Sequence, residues 1–500
     1  MAKDDLMQAT LTQLVAAIAG ATLVPGAAPD ANHDIAIGAL STDSRNVPPG
    51  ALFVALRGDT FDGHDFLTSV VQAGAGAVVV EALPADWSAN VPAIVVPDTL
   101  VALGQIASFW RCQRALPVIG VTGSNGKTTV KEMIAAILRA ALGEDGYLAT
   151  RGNFNNEIGV PLTLMRLEPA HAAAVIELGM NHPGEIARLS VIAKPTLALV
   201  NNAQREHQEF MHSVRAVALE NGAVLAGLPQ DGVAVFPFDD EFTALWRDLA
   251  GTRRTLTFAP AKAGVGRGFD TDQADVSCTW RVNDFGSDLF VTIRTDAAPL
   301  QFFVDLSAAG EHNVRNALAA CACAHGIGIT VDAIKRGLEA FAPVSGRLQK
   351  KMAANGITVI DDSYNANPDS VRAAIDVLAQ AAPPRILVLG DMGEVGTLGR
   401  QFHEEIGAYA ASRGIEHLLA TGELARHLSG GYQQVMHFEQ FDALVSALDE
   451  LLAASTDSAG SAPATVLVKG SRFMKMERIV RHLIDLQDTQ NLQKNNKEVH

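Results

Sequence analysis

The segment Gly123-Ser124-Asn125-Gly126-Lys127-Thr128 has the residue types and spacing to hold a polyphosphate. Backbone N–H groups in such a turn point inward, and a helix starting at its end adds partial positive charge. Lys127 can reach the terminal phosphates, and the Thr128 hydroxyl suits a magnesium ion. The strict form of this pattern has glycine at position 121. Here Val121 stands there and Gly120 precedes it, so the loop is a variant. ATP with Mg²⁺ is the expected ligand.

A phosphate loop needs a strand before it and a helix after it. Pro117-Val118-Ile119-Gly120-Val121 reads as a short buried strand. Val130, Met133, Ile134, Ile137, Leu138 and Ala141 then recur at helical spacing. Further strands are predicted at Ala174-Val175-Ile176-Glu177-Leu178 and Thr196-Leu197-Ala198-Leu199-Val200, with helical stretches between. Alternation of this kind implies a parallel sheet covered by helices on both faces. Ligands bind at the carboxyl ends of such strands. Glu177 ends one strand there, and its carboxylate oxygens suit Mg²⁺. His207 follows the next strand, in Asn202-Ala203-Gln204-Arg205-Glu206-His207.

Around this centre the pattern changes twice. Before residue 116, Ala51 to Leu56, Ala77 to Val80 and Ala93 to Val96 read as strands, and Ala102 to Arg114 as a helix. Residues 255–306 form a β-rich excursion, and Asn313 to His325 is again helical. From about Gly346 a second α/β block begins, with strands at Thr358 to Asp361, Ile386 to Leu389, His417 to Ala420 and Thr465 to Val468. Ala453 to Ala464 reads as a Ser/Ala/Gly-rich loop, and Gln487 to His500 as a frayed polar tail.

A chain of 500 residues suggests about three domains. With 48% hydrophobic and 19% charged residues it can bury large cores. A net charge of −16 argues against general nucleic-acid binding, which needs a basic surface. Cys112, Cys278, Cys321 and Cys323 have no metal-ligand spacing and are expected to be buried free thiols. No apolar run is long enough to span a membrane, and no secretory leader is visible. A cytoplasmic protein is expected.

Together these pieces resemble the Mur ligases, the ATP-dependent amide-forming enzymes of peptidoglycan precursor synthesis. Thr122-Gly123-Ser124-Asn125-Gly126-Lys127-Thr128-Thr129 looks like that family's TGxxGKTx loop. Gly152-Asn153-Phe154-Asn155-Asn156-Glu157-Ile158-Gly159-Val160-Pro161 resembles GNxNNxIGxP, and His312-Asn313-Val314-Arg315-Asn316-Ala317 resembles HNxxNA. Glu177 matches the family's magnesium Glu, His207 its second metal-site His, and Arg347 the Arg that opens the third domain. Asp361-Asp362-Ser363-Tyr364-Asn365-Ala366-Asn367-Pro368, Leu389 to Gly396 and Lys469-Gly470-Ser471-Arg472 resemble the members that take D-alanyl-D-alanine. Folylpolyglutamate synthases share the core, but usually show GKGS where this chain reads Gly126-Lys127-Thr128-Thr129.

The resemblance implies an α/β protein of three domains. A smaller N-terminal domain (1–115) would hold the UDP end of UDP-N-acetylmuramoyl-tripeptide. A central P-loop-type domain (116–343) would hold ATP. A Rossmann-like C-terminal domain (344–486) would hold the incoming dipeptide, with the tail at 487–500. Lys127, Glu177, His207 and Arg347 would carry the catalysis. Thr122 to Thr129, Asn313, Asn316, Arg347, Asp362 and Tyr364 would contact ATP. Asn313 and Asn316 would lie nearer the base, and Asp362 and Tyr364 near the ribose or adenine. Ser44, Arg45, Asn153 and Asn156 would contact the UDP-linked substrate. Thr128, Glu177 and His207 would hold magnesium. The chain is expected to be monomeric and to close about Phe341 to Gly346. Several relatives carry a carbamylated Lys that ligates a second metal. Counted from His207, that position is Asn221. Glu220, next to it, is the candidate substitute carboxylate, although one residue on a helix turns a side chain by about 100°.

Overall fold

The computed structural model describes residues 9–26, 35–85, 87, 91–261, 273–353, 356–456 and 462–485. The expected polar tail, 487–500, lies outside the described residues. Three large sheets follow one another along the chain.

The first has five strands. Leu40–Ser41, Leu52–Val54, Ala77–Val80 and Ala93–Val95 run parallel, and Thr22–Val24 closes the edge antiparallel to Ala93–Val95. The central sheet has nine. In spatial order its parallel part is Tyr147–Ala149, Ala173–Glu177, Val118–Thr122, Leu197–Val200, Val233–Pro237, Arg254–Pro260 and Val276–Asn283. Gly286–Ile293 and Leu300–Leu306 extend it as antiparallel strands. The β-rich stretch expected at 255–306 is therefore an extension of the nucleotide-site sheet. The third sheet joins Thr358–Asp362, Thr465–Lys469, Arg385–Leu389, His417–Thr421 and Val435–Phe438 in parallel, with Gln349–Met352 antiparallel at one edge.

Alternate residues of each strand enter different cores, as the period of two demands. Ile119, Val121, Val175 and Leu199 face helices Lys127–Leu142, Glu311–Gly326 and Val331–Glu339. Val118, Ala174, Ile176, Ala198 and Val200 face the other side. There they share a core with Leu52, Val54, Val79 and Ile94 of the first sheet. Helix Thr99–Cys112 lies between the two and contributes Leu103, Ile106 and Trp110. The first two sheets are thus welded by one apolar core. The third has two cores of its own, one on each face. Among the described residues, only Ala309, with half-buried Phe285, joins one of them from the central sheet's side.

Some predicted boundaries move. Helix Ala102 to Arg114 starts earlier, at Thr99, because the Asp98 side chain accepts from Val101 N–H and caps it. Helix Phe441–Thr456 runs into the stretch read as a loop from Ala453, since alanine and serine continue a helix whose apolar face is already packed. Cys278, Cys321 and Cys323 are buried as expected, but Cys112 is exposed at the last turn of its helix. Among the described residues no helix is long and apolar enough to cross a membrane.

Candidate active site

The phosphate loop leaves strand Val118–Thr122 and ends in helix Lys127–Leu142. Two glycines let it turn. Gly126 has φ +82°, and a Cβ there would stand 2.5 Å from Asn316 Oδ1 and 2.7 Å from Asn201 Nδ2. Gly123 has φ +135°, with Asn201 Cβ 2.9 Å from where its Cβ would be. No other residue fits either position without displacing the neighbours.

Behind the loop runs a chain of buried amides. Asn316 Nδ2 donates to Asn313 Oδ1 (3.1 Å), Asn201 Nδ2 donates to Asn316 Oδ1 (2.9 Å), and Asn201 Nδ2 also donates to Asn125 O (2.8 Å). Asn313 Nδ2 donates to Ala309 O at 2.8 Å. Asn313 and Asn316 therefore brace the loop from behind as well as lining the cavity. Pro237, Asp239, Asp240, Phe258 and Arg315 line the same cavity. Arg315 forks onto Asp239 with two bonds of 2.8 Å. Burial pushes the Asp240 carboxyl up to about 6, and like charge from Glu241 and Asp239 adds to the rise.

Lys127 folds over the loop, donating to Gly123 O and, at 3.2 Å, to Ser124 O. It also faces the Glu206 carboxylate at 3.4 Å. Glu206 was not among the residues singled out from sequence, yet its side chain is only 6% exposed. The one sequence signal for it was its place beside His207.

Glu177 is 2% exposed at the end of its strand. Its Oε1 accepts from Thr128 Oγ1 (3.2 Å) and Asn155 Nδ2 (2.8 Å). Its Oε2 is buried with no hydrogen-bond partner. A buried carboxylate oxygen left over beside a hydroxyl fits a hard divalent cation that completes its shell with phosphate oxygens and water. Glu177 and Thr128 thus suit magnesium. Among the described residues, no three His, Cys, Asp or Glu side chains converge on one metal position. His207 lines the same cavity, with its ring beside two other carboxylates. It has φ +47°, and its Nδ1 lies 2.7 Å from Glu394 Oε2 of the third sheet's loop, while its Nε2 is 3.9 Å from Glu206. The His207 contact holds the Glu394 carboxyl below its ordinary range.

Glu220 requires a correction. Its two oxygens accept from Gly184 N–H and Ile186 N–H, both at 2.8 Å, at the start of helix Glu185–Ala193. The offset of one residue turns it away from the loop, so it is not a carboxylate of the nucleotide site. Asn221 takes the inward position: its Oδ1 accepts from Gly123 N–H (2.9 Å) and its Nδ2 reaches Glu206 Oε1 (3.5 Å).

The third-domain residues meet the same cavity, of about 1190 Å³. Arg347 lies 4.3 Å above the Tyr364 ring, and Arg472 lies 5.7 Å from it on the same cavity wall. Asp362 is engaged rather than open: Leu348 N–H donates to Oδ1 at 3.1 Å, and Lys469 Nζ bonds Oδ2. Lys469 also donates to Asn365 O (2.8 Å), which holds the Asp361-to-Pro368 segment in place. Asn153 and Asn156 line the cavity as well, though Asn156 Oδ1 is used by Gly159 N–H at 2.8 Å. Ser44 and Arg45 do not line it. They sit in a surface turn of the first sheet, where Arg45 pairs with Asp43 at 2.9 Å and is 88% exposed.

Fold and site define a nucleotide-dependent enzyme in which a phosphate loop and a separately cored domain share one cleft. The chain matches family models described as Mur ligase family, catalytic domain (residues 36–111), Mur ligase middle domain (121–324), and Mur ligase, glutamate ligase domain (346–472). UDP-N-acetylmuramoyl-tripeptide–D-alanyl-D-alanine ligase of Escherichia coli is 39% identical over 450 residues, 90% of this chain and 94% of that one. A crystal structure of MurF from Acinetobacter baumannii superposes with a TM-score of 0.85 at 34% identity, covering 96% of this chain and all (100%) of that one. MurF ligase from Thermotoga maritima in complex with ADP superposes with a TM-score of 0.77 at 25% identity, over 90% and 98% of the two chains. The chain belongs to the Mur ligase family.

Proposed function

We propose that this chain is an ATP-dependent amide ligase that joins D-alanyl-D-alanine to UDP-N-acetylmuramoyl-tripeptide, releasing ADP and phosphate. The observation that carries the reading is the shared cleft. Buried Glu177, with its unpartnered oxygen, stands beside the phosphate loop in the same cavity as Arg347, Tyr364 and Asn365 of the third domain. The high identity to named relatives along nearly the whole chain supports the choice of substrates.

A free carboxylate has no adequate leaving group. Transfer of the γ-phosphoryl of ATP to the tripeptide carboxylate breaks the β,γ P–O bond, releases ADP and forms an acyl phosphate. The dipeptide amine then attacks the acyl carbon. The acyl C–O bond to phosphate breaks, and the amine gives its proton to solvent. Three anionic partners must be brought together for this. The loop N–H groups and Lys127 bind and orient the phosphates. Glu177 and Thr128 would hold magnesium, which when bound offsets the charge on the triphosphate. Arg347, which lines the same cavity from the third domain, would add positive charge to the transferring group. The first domain, with Ser44 and Arg45, would hold the UDP end, and Asn153 and Asn156 the part nearer the reacting carboxylate.

Phosphate release measured with UDP-N-acetylmuramoyl-tripeptide, carrying diaminopimelate or lysine, tests the reading. Release should require D-alanyl-D-alanine and be lost in Lys127→Ala. Release supported only by another amine would overturn it.

A further inference from the structure

The stretch Gln204-Arg205-Glu206-His207 is read from two sides. Its even residues face the phosphate loop. Gln204 N–H donates to Ser124 Oγ (2.8 Å), Gln204 Oε1 accepts from Asn125 Nδ2 (2.6 Å), and Glu206 meets Lys127. Its odd residues face the third domain. His207 meets Glu394, and Arg205 meets two carboxylates on two separate helices. Asp369 lies in the first turn of helix Pro368–Leu378, and Glu405 lies on helix Gly399–Ser412. Arg205 N–H donates to Asp369 Oδ2 at 2.9 Å, Arg205 Nη2 to Asp369 Oδ1 at 2.6 Å, and Arg205 Nη1 to Glu405 Oε2 at 2.8 Å. The guanidinium also stands 5.3 Å from the Phe402 ring centre, and its side chain is 22% exposed.

We propose that Arg205 is a positioning residue for amide formation, pinning the third domain against the strip that grips the phosphate loop. This rests on the ligase reading above. The first two sheets share an apolar core, whereas the third has its own cores and meets the phosphate-loop strip through polar contacts. Ion pairs of Arg205 and His207, with the Asn125–Asn367 amide pair, therefore bear on how firmly it sits. Arg205 is the cation shared by Asp369 and Glu405, so its loss takes from both carboxylates their partner in the phosphate-loop strip. Arg372, which bonds Glu405 at 2.9 Å, belongs to the third domain itself and cannot replace a link between domains. The position of Arg205 matters because its neighbours on either side touch the loop. Closure of the third domain and the grip on the phosphates are joined through this short piece of backbone, beside the direct bond from Asn367 Nδ2 to Asn125 Oδ1 (2.9 Å).

The chemical consequence is specific. If the third domain seats loosely, the acyl phosphate meets water as well as the amine. Water then takes the acyl carbon, returning the carboxylate and releasing phosphate without product. Phosphate released per amide formed is the readout that a merely structural role would not move. Wild type should give a ratio near one. Arg205→Ala should raise it several-fold and lower the amide-forming kcat/KM by roughly 10–100-fold, in the range of interdomain couplings. ADP affinity should stay within about twofold of wild type. Arg205→Lys, which can reach one carboxylate but cannot fork, should fall between. A double-mutant cycle of Arg205→Ala with Glu405→Gln should show less than additive loss. Loss of ADP affinity in step with amide formation would mean that Arg205 only supports the loop, and the proposal fails. It fails equally if Arg205→Ala keeps the ratio near one. Inactivity of the wild type with D-alanyl-D-alanine would instead refute the ligase reading, independently of Arg205.

Discussion

Replacing Glu177 by glutamine should harm catalysis and stabilise the ligand-free fold, and the opposite signs make the test sharp. Glu177 is 2% exposed; Oε1 has two donors and Oε2 has none. In the free chain the buried carboxylate has donors on one oxygen only. An amide of the same shape keeps its carbonyl oxygen on Thr128 and Asn155 and leaves an unpartnered neutral NH₂. An unpaired neutral group costs about 1–3 kcal/mol, and a charged one more. The variant should gain on the order of 1 kcal/mol, a rise in melting temperature of roughly 2–4 °C for a unit of this size. With Mg²⁺ and ATP the balance reverses. Losing a charge that faces the cation should lower kcat by roughly 10²–10³-fold. Melting scans with and without Mg-ATP, beside phosphate release, measure both. A ligand-free variant that melts below wild type would refute the view that Oε2 waits for a cation.

Glu220→Gln should leave kcat within about twofold and lower stability by about 1 kcal/mol, because its carboxylate caps a helix away from the loop; Glu206→Gln, facing Lys127, should lower kcat instead. Steady-state rates and melting of the two variants decide between them, and a strong rate loss in Glu220→Gln would contradict the assignment. Gly126→Ala should weaken ADP binding by roughly 10-fold or more, since left-handed strain of about 1–2 kcal/mol adds to collision with Asn316 and Asn201; calorimetric titration checks it. The Asp240 carboxyl, raised from an ordinary 3.8 to about 6, makes folded chain hold a proton that unfolded chain has lost between about pH 4 and 6. Stability should therefore fall as pH rises through that window and level off above it. Asp240→Asn should be more stable than wild type at pH 7, by up to about 3 kcal/mol, and no more stable at pH 4. A difference that does not grow with pH would count against this.

The phosphate loop was legible because its chemistry is local. Strand, turn and helix follow one another within Val118 to Leu142, and glycines, lysine and threonine occupy positions that backbone geometry alone dictates. Glu177 was legible for a related reason: the end of a parallel strand is a defined place. The alternation of strand and helix also sufficed for the α/β class and the three-part order.

What needed the tertiary structure was every relation between segments distant in sequence. The one-residue offset of Glu220 could be read from sequence, but that it caps helix Glu185–Ala193, and that Glu206 faces Lys127, depends on contacts between separate segments. The engagement of Asp362 by Lys469 joins residues 107 apart, and that of Arg205 by Asp369 joins residues 164 apart. Nor could the sequence say that the first two sheets share a core while the third stands on its own. All three carry strands of the same hydrophobic pattern, which states that a face is buried but not against what. Local backbone preference and periodicity determined the elements and the phosphate grip. The partners of each buried face and each charge were decided by packing, where burial must be shared and buried charge must be offset between parts of the chain that sequence keeps apart.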